Sequence, residues 1–378
     1  MFSADSHVVE PASLFAVGSG YHGSAPKLKY DSVLGHAVDF GDGRKLSVGR
    51  FGIAGLRLHS DEARAQIAAG YEGLPARITS PEQRMRAMRE DGVTGELLFP
   101  SLFFGAFAIS DLRLQKSIMC RYNEWVRDFA SRDTAFFVPA ALTGLHPLAT
   151  PEATLRVALT QGFRAICIPC SLPVGLSYGD EALERFWAIA NESAAVVCMH
   201  VFTGSTRNMG LPEHWDNLTT YSLSTSAICA SVIDLISSGV TTRFPRVRFL
   251  LAEWELGGIP TFLRRLDHAW YRNGMQQKVS LDGTPSEHFW KHFFMTFQDD
   301  GRGVAAALPE AKQRLLWAND YPHHDSVWPQ SHSAVQRSLE WLPEGERDHA
   351  RAFLTQVNAR ATLGIPIANL EDGGSSLP

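Results

Sequence analysis

The sequence is short of several things, and each shortage excludes a class of protein. It carries no Lys/Arg-rich run able to follow a phosphate backbone, and its 35 basic against 40 acidic residues leave a net charge of −5, so nucleic acid is not expected as a partner. Nowhere do the roughly eighteen uncharged apolar residues needed to span a bilayer run together, and the chain does not open on a basic region followed by an apolar segment. A soluble, unexported, cytoplasmic protein is expected, with no membrane partner. Cysteine is scarce: Cys120, Cys167, Cys170, Cys198 and Cys229 form an odd set without zinc-finger spacing, and most lie in apolar runs, as buried thiols of a reducing compartment do.

What is present is alternation. Short apolar runs recur at Phe2 to Ala4, Glu96 to Phe99, Phe136 to Leu142, Ala165 to Ile168, Ala194 to Met199, Val247 to Ala252, Phe293 to Phe297 and Leu315 to Ala318. Between them stand helix signals. At Ser80-Pro81-Glu82-Gln83 the Ser caps, the Pro takes the first helical position and the Gln completes a capping box. Asp91-Gly92, Gly162, Gly239 and Gly274 supply helix stops, where glycine adopts the left-handed conformation that other residues resist. Eight βα units predict an α/β fold, a distorted (β/α)8 TIM barrel spanning residues 1–366 as one domain, and 378 residues suffice for it. The stretch 11–79 is too long for one βα connection and carries Gly41-Asp42-Gly43 between Val38-Asp39-Phe40 and Lys45-Leu46-Ser47-Val48. It is expected to hold a small hairpin and to act as a cap inserted after the first strand. A second long loop runs from about Val201 to Ser222. The tail 367–378, with Gly373-Gly374-Ser375-Ser376, reads as disordered.

The first apolar run leads into Asp5-Ser6-His7. Residues i and i+2 of a strand point the same way, so the Asp5 carboxylate and the His7 imidazole converge. The fifth run leads into His200 and the eighth, through Asn319, into Asp320. A solitary His or Asp at a strand end is commonly just a satisfied hydrogen-bonding group. Four such residues at the C-terminal ends of three barrel strands, the face where barrel enzymes place their sites, predict one divalent metal ion held by Asp5, His7, His200 and Asp320. Nitrogen plus carboxylate ligation suits Zn2+, Mn2+ or Fe2+.

Longer motifs add a resemblance. Ala4-Asp5-Ser6-His7-Val8-Val9-Glu10-Pro11, Leu250-Leu251-Ala252-Glu253 followed by Gly258-Ile259-Pro260, and Asn319-Asp320-Tyr321-Pro322-His323 resemble the amidohydrolase-related family that includes aminocarboxymuconate-semialdehyde decarboxylase. Weaker echoes at Tyr122-Asn123-Glu124-Trp125, Gly162-Phe163-Arg164, Phe186-Trp187 and Asn358-Ala359 extend the likeness over nearly the whole chain. The resemblance implies a distorted barrel with one divalent metal, ligated by the first-strand motif, the fifth-strand His and the eighth-strand Asp, and it implies a homodimer. Two departures stand out. Asp5 occupies a position that is His in the family's founding pattern and Glu in some aromatic-acid decarboxylases, so it reaches the metal either directly or through water. The usual sixth-strand His is replaced by Glu253, which exchanges a group able to carry positive charge for one normally anionic at pH 7.

Other residues carry two readings each. Glu253 is either a general acid/base or a partner of a metal-binding His, and Glu255 is the alternative for the same place. Of His323 and His324, one is expected to act at the substrate and the other to orient its loop. Arg207, the nearest cation after His200, either holds a substrate carboxylate or lies at the surface. Phe103, Phe104, Trp254 and Trp328 fall on loops after strands, as pocket wall or as core. The resemblance favours decarboxylation of a small aromatic or unsaturated carboxylic acid, with Asp320 or Glu253 protonating the carbon that loses CO2. The competing readings are a hydrolase of an amide, ester or C–C bond using metal-activated water, and a barrel without catalysis that serves as a binding protein.

Overall fold

The computed structural model describes residues 1–15, 25–40, 45–204, 217–273 and 279–367. Two sheets are present among them. The larger has eight parallel strands, β1 (Phe2–Val8), β5 (Gly95–Pro100), β6 (Phe137–Leu142), β7 (Ala165–Pro169), β8 (Val196–His200), β9 (Arg248–Ala252), β10 (Phe293–Phe297) and β11 (Leu315–Trp317), each hydrogen-bonded to the next in chain order. The smaller is antiparallel, with β2 (Lys27–Asp31), β3 (Gly35–Asp39) and β4 (Lys45–Ser47). The eight parallel strands are those expected from the apolar runs. Strands buried on both faces read as continuous apolar segments, which is why they stand out in the sequence.

The large sheet closes at its C-terminal end, where the chain leaving β11 returns to β1. His7 N–H donates to the Tyr321 carbonyl at 2.6 Å and Asp320 N–H to the Asp5 carbonyl at 3.0 Å. Pairing of β1 with β5 shifts register between Ser3 and Ser6, a β-bulge that re-aims the side chains around it. In consequence the Ser3 and Ser6 hydroxyls meet at 2.9 Å and both donate to Asn319 Oδ1 at 2.9 Å. Seam and bulge are thus tied together directly beneath Asp5 and Asp320.

Below that seam lies a fully buried ion pair. Arg84, on the helix Pro81–Glu90, forks onto Glu96 of β5 at 2.9 and 2.8 Å, while its guanidinium also donates to the backbone carbonyls of His7 and Tyr321. A buried cation needs such complete pairing, because an isolated charge out of water is very costly. Arg84 therefore fixes β1 and the loop after β11 relative to each other.

The helix stops behave as expected at Gly92, Gly162 and Gly239, with φ of +78°, +87° and +78°; Gly274 lies outside the described residues. Ser80 Oγ accepts from Gln83 N–H at 3.3 Å, but the Ser80 hydroxyl itself turns to Glu82 at 3.0 Å. The expected small hairpin is present as antiparallel β3 and β4, with Asp39 opposite Lys45, and β2 adds a third strand to it. Residues 41–44, the expected turn, are outside the described set, as are 368–378 of the expected tail. The long loop after β8 is shorter than its composition suggests, because an α-helix starts at Asn217 and runs to Ser237. No helix among the described residues is long and apolar enough to cross a membrane.

Candidate metal centre

Four strand ends bring the site together. Asp5 and His7 come from β1, His200 is the last residue of β8, Glu253 follows β9 directly and Asp320 follows β11. Asp5, His7, His200 and Asp320 are all buried, none more than 2 % exposed. His7 Nε2 lies 3.4 Å from Asp5 Oδ1 and 3.1 Å from Asp320 Oδ1, and His200 Nε2 lies 3.4 Å from Asp5 Oδ1.

Each imidazole is oriented from behind. His7 Nδ1 is 2.8 Å from the Pro100 carbonyl and His200 Nδ1 is 2.9 Å from that of Val201. A carbonyl can only accept, so Nδ1 carries the hydrogen in both rings and each Nε2 presents its lone pair to the common point. Those two Nε2 atoms, Asp5 Oδ1 and both Asp320 carboxylate oxygens are buried without a hydrogen-bond partner. Buried polar atoms are almost always satisfied. Orphans of acceptor type converging from three strands are what a divalent cation would pair, and the nitrogen-plus-carboxylate set fits one.

Glu253 also enters this cluster. Its Oε1 is 3.7 Å from His200 Nε2, and ligand-type atoms of Asp5, His7, His200 and Glu253, and separately of His7, Glu253, Asp320 and His323, lie within 4.8 Å of one another. Glu253 and Asp320 are two of four non-glycine described residues with positive φ, at +58° and +53°. L-residues resist that region, and such strain is retained where the surrounding structure holds a functional side chain in place. Glu253 N–H is held by Thr296 Oγ1 at 3.0 Å, and that hydroxyl reaches Asp5 Oδ2 at 3.4 Å.

The electrostatics follow from crowding four carboxylic acids and three imidazoles in a dry space. Burial alone would raise the Asp5 carboxyl, but His200 and His7 hold it below the usual carboxylate range. Burial would likewise lower His7, yet Asp320 and Asp5 carry it well above its ordinary value, so a proton and a divalent cation compete for the Nε2 lone pair. Glu253 is pushed well up, first by burial and then by the charges of Asp320, Asp5 and Asp325. Burial pushes His323 well down, assisted by the neighbouring His7.

The other expected site residues fall in three places. His323 is at the site but behind Asp320: its Nδ1 is 3.1 Å from Asp320 Oδ1, and its Nε2 is 2.9 Å from Ser101 Oγ. His324 is half-buried with its Nδ1 3.7 Å from Asp325 Oδ1. Phe103 is fully buried against Tyr122 and Phe15, at ring-centroid distances of 5.6 and 4.9 Å, a core position. Phe104 is the aromatic that reaches the site, 4.6 Å from His200 and 5.8 Å from His7. Trp254 packs on Phe262 and Phe289 at 5.4 and 5.7 Å. Trp328 stands against Tyr321 at 5.4 Å, with the Arg77 guanidinium 5.0 Å from its ring. Arg207 lies outside the described residues.

A cavity of about 510 Å3 opens on this cluster, reaching Asp5, Glu253 and Asp320 and walled by Phe202, Tyr221 and Phe297. Sequence reasoning did not single out Ser101, Tyr221 or Asp325. Asp325 alone had a signal, since it closes the run Asp320-Tyr321-Pro322-His323-His324-Asp325. From the insertion 11–79, the Phe51 ring lies 4.9 Å from His323, and Ala54 N–H donates to the Pro322 carbonyl at 3.1 Å.

Residues 36–365 match the family model described as Amidohydrolase. No curated protein matches the sequence. Solved structures share the fold. An amidohydrolase from Mycobacterium avium subsp. paratuberculosis K-10 superposes with a TM-score of 0.76 at 16 % identity, covering 96 % of this chain and 98 % of that one. The apo form of Metarhizium anisopliae IDCase gives 0.68 at 16 %, covering 96 % and 97 %. A dihydroxybenzoic acid decarboxylase from Polaromonas sp. JS666, with bound manganese and the inhibitor 2-nitroresorcinol, gives 0.62 at 16 %, covering 82 % and 91 %.

Proposed function

This chain belongs to the amidohydrolase family, and from that premise we propose that it is a metal-dependent lyase that decarboxylates a small aromatic or unsaturated carboxylic acid. The observation that carries the proposal is the set of buried, unpartnered acceptor atoms on Asp5, His7, His200 and Asp320. These four residues would hold one divalent ion, manganese or zinc, and manganese is the ion bound in the Polaromonas decarboxylase of the same fold. When bound, such an ion supplies Lewis-acid polarisation of the substrate's oxygens.

The chain's own groups do the rest. Phe104, packed on His200 and His7, keeps water from the ligands on its side. Glu253 lines the cavity next to the ligand cluster and gives its carboxyl proton to the substrate carbon. As the bond from that carbon to the carboxylate breaks, its electron pair stays on the carbon and is taken up by the new C–H bond; CO2 leaves, and the Glu253 carboxylate regains a proton from solvent. Asp320 stands against His323, which Ser101 braces from its other side, and would stay a ligand throughout. The segment 11–79 packs against the loop after β11, Phe51 on His323 and Ala54 on Pro322, and none of its described residues lines the cavity. We further propose a cytoplasmic homodimer: the free cysteines suit a reducing compartment, and light scattering should give about twice the 41.7 kDa chain mass.

The test is a panel of aromatic acids, esters, amides and ring-cleavage products incubated with manganese-loaded protein in 18O-labelled water. Release of CO2 from an acid, with solvent hydrogen and no 18O in the remaining product, supports the lyase. Incorporation of 18O into a product of ester, amide or C–C cleavage would overturn it in favour of a hydrolase.

A further inference from the structure

The cavity wall is acidic throughout. Seven of the described residues lining it are Asp or Glu and none is Lys, Arg or His. Some of that charge is spoken for. Asp5 and Asp320 face the proposed cation, Asp299 is paired with Arg337 at 2.8 Å, and Asp300 caps a helix through Gly303 N–H at 2.8 Å and accepts from Leu256 N–H at 3.1 Å. Glu253 is the proposed proton donor, and Glu255 and Asp325 remain. Glu255 is exposed and has no ion pair among the described residues; Asp325 accepts from the Tyr221 hydroxyl at 3.3 Å, with His324 Nδ1 3.7 Å away.

A divalent ion balanced by Asp5 and Asp320 leaves no net positive charge among the described residues lining the mouth. A simple monoanionic acid would then bring its carboxylate into a space already negative through Glu255 and Asp325, and like charges brought together without compensation oppose binding. The same cavity takes in the buried, unpartnered oxygens of Asp5 and Asp320, so a molecule anchored at the ligands extends along this acidic wall. About 510 Å3 lies within the roughly 300–1,000 Å3 of small-molecule sites, and Tyr221, Phe202 and Phe297 give an aromatic lining over which a cation is favoured.

We propose that the carboxylic acid taken by this site also carries a cationic nitrogen, an ammonium or guanidinium group, seated against Glu255 and Asp325. The proposal rests on the reading above that a carboxylic acid binds at the ligand cluster. It makes the substrate zwitterionic, and it assigns specificity to two acids that need take no part in bond breaking.

The experiment is calorimetric titration of the full, manganese-loaded chain with three benzoates of matched shape, bearing aminomethyl, hydroxymethyl or carboxymethyl groups in the meta or para position. The aminomethyl compound should bind at least about tenfold more tightly than the hydroxymethyl compound, a difference ordinary for one added ion pair, and the carboxymethyl compound should bind most weakly. The double variant Glu255→Gln/Asp325→Asn should flatten this ranking, and Glu255→Lys should move the preference toward the carboxymethyl compound. Equal binding of all three, a preference for the dianion, or a ranking that survives the double variant would overturn the proposal while leaving the carboxylic-acid reading standing. Binding of none would overturn both.

Discussion

His323 stacks on His7, ring centroids 3.9 Å apart and planes inclined by 28°. A proposed metal ligand on the first barrel strand is thereby braced by a residue that follows the last one. Ser101, at the end of the second barrel strand, reaches the same His323 at 2.9 Å. Burial keeps His323 neutral, so it has one ring hydrogen to give. Its Nδ1 faces Asp320 Oδ1 at 3.1 Å while its Nε2 is hydrogen-bonded to the Ser101 hydroxyl, so Ser101 sets how the ring stands against Asp320.

From this chain follows a prediction for Ser101→Ala. Removing the hydroxyl leaves His323 Nε2 without its hydrogen-bond partner and frees the ring that stands against Asp320. Residues that orient ligands without touching the metal typically cost about 10–100-fold in metal affinity or activity when removed. Manganese affinity and kcat/KM measured on Ser101→Ala should show a loss of that size, and Ser101→Thr should restore most of it. Unchanged values in Ser101→Ala would mean that His323 holds Asp320 unaided.

His200→Ala should empty the centre. The variant loses one imidazole from a set whose remaining members would be left as buried, uncompensated carboxylates and one His; Glu253 and His323 are the further ligand-type groups in the described clusters. Metal content per chain after dialysis against metal-free buffer should fall from near one to near zero, with activity lost alongside it. Retention of both would remove His200 from the ligand set.

The barrel was legible because parallel strands buried on both faces spell themselves as apolar runs, and His200 and Asp320 were legible because such runs end in them. The convergence of Asp5 and His7 had a simple i, i+2 reading, although a bulge between Ser3 and Ser6 accompanies it in the fold and depends on Asn319, more than three hundred positions away. That kind of contact has no local signal. Arg84 shows the limit most clearly: in the sequence it is one of several charged residues on a polar helix, and only the closed barrel makes it the cation that binds Glu96 and two backbone carbonyls at the seam. Aromatics were the least legible. Phe103 and Phe104 are adjacent and chemically identical, and which of them faces His200 is decided by the short helical turn Phe103–Ala108.

A pH dependence of stability should come from His292, far from the metal ligands at the start of β10. Burial lowers its pKa to about 4, with Lys291, His288 and Arg314 adding to the effect against the opposing hydrogen bond from its Nδ1 to the Val247 carbonyl at 2.8 Å. Its folded pKa is below the unfolded value of 6.5, so between those values the unfolded chain binds a proton that the folded one refuses. Stability is therefore fully present above pH 6.5 and is lost as the pH falls toward 4, by roughly 3 kcal/mol from this group. Chemical denaturation between pH 7.5 and 4.5 should show a steeper fall for the native sequence than for His292→Gln; parallel curves would refute the assignment.

Glu253→Gln separates the two roles open to that residue. The carboxylate stands close enough to His200, at 3.7 Å, to be drawn onto a metal, yet in the ligand set proposed above Asp5, His7, His200 and Asp320 would already complete four-coordination of one divalent ion. Glu253 also lines the cavity beside Asp5 and Asp320. Glutamine keeps the shape and one oxygen but has no acidic proton to deliver. Loss of a general acid typically lowers the rate by about 10²–10⁴-fold. The variant should therefore retain one metal per chain, bind the substrate with little change in KM, and lose kcat by that amount. A variant that released its metal would make Glu253 a ligand; one that kept full turnover would move proton delivery to Asp320, whose oxygens are then the remaining acidic ones on the reacting side.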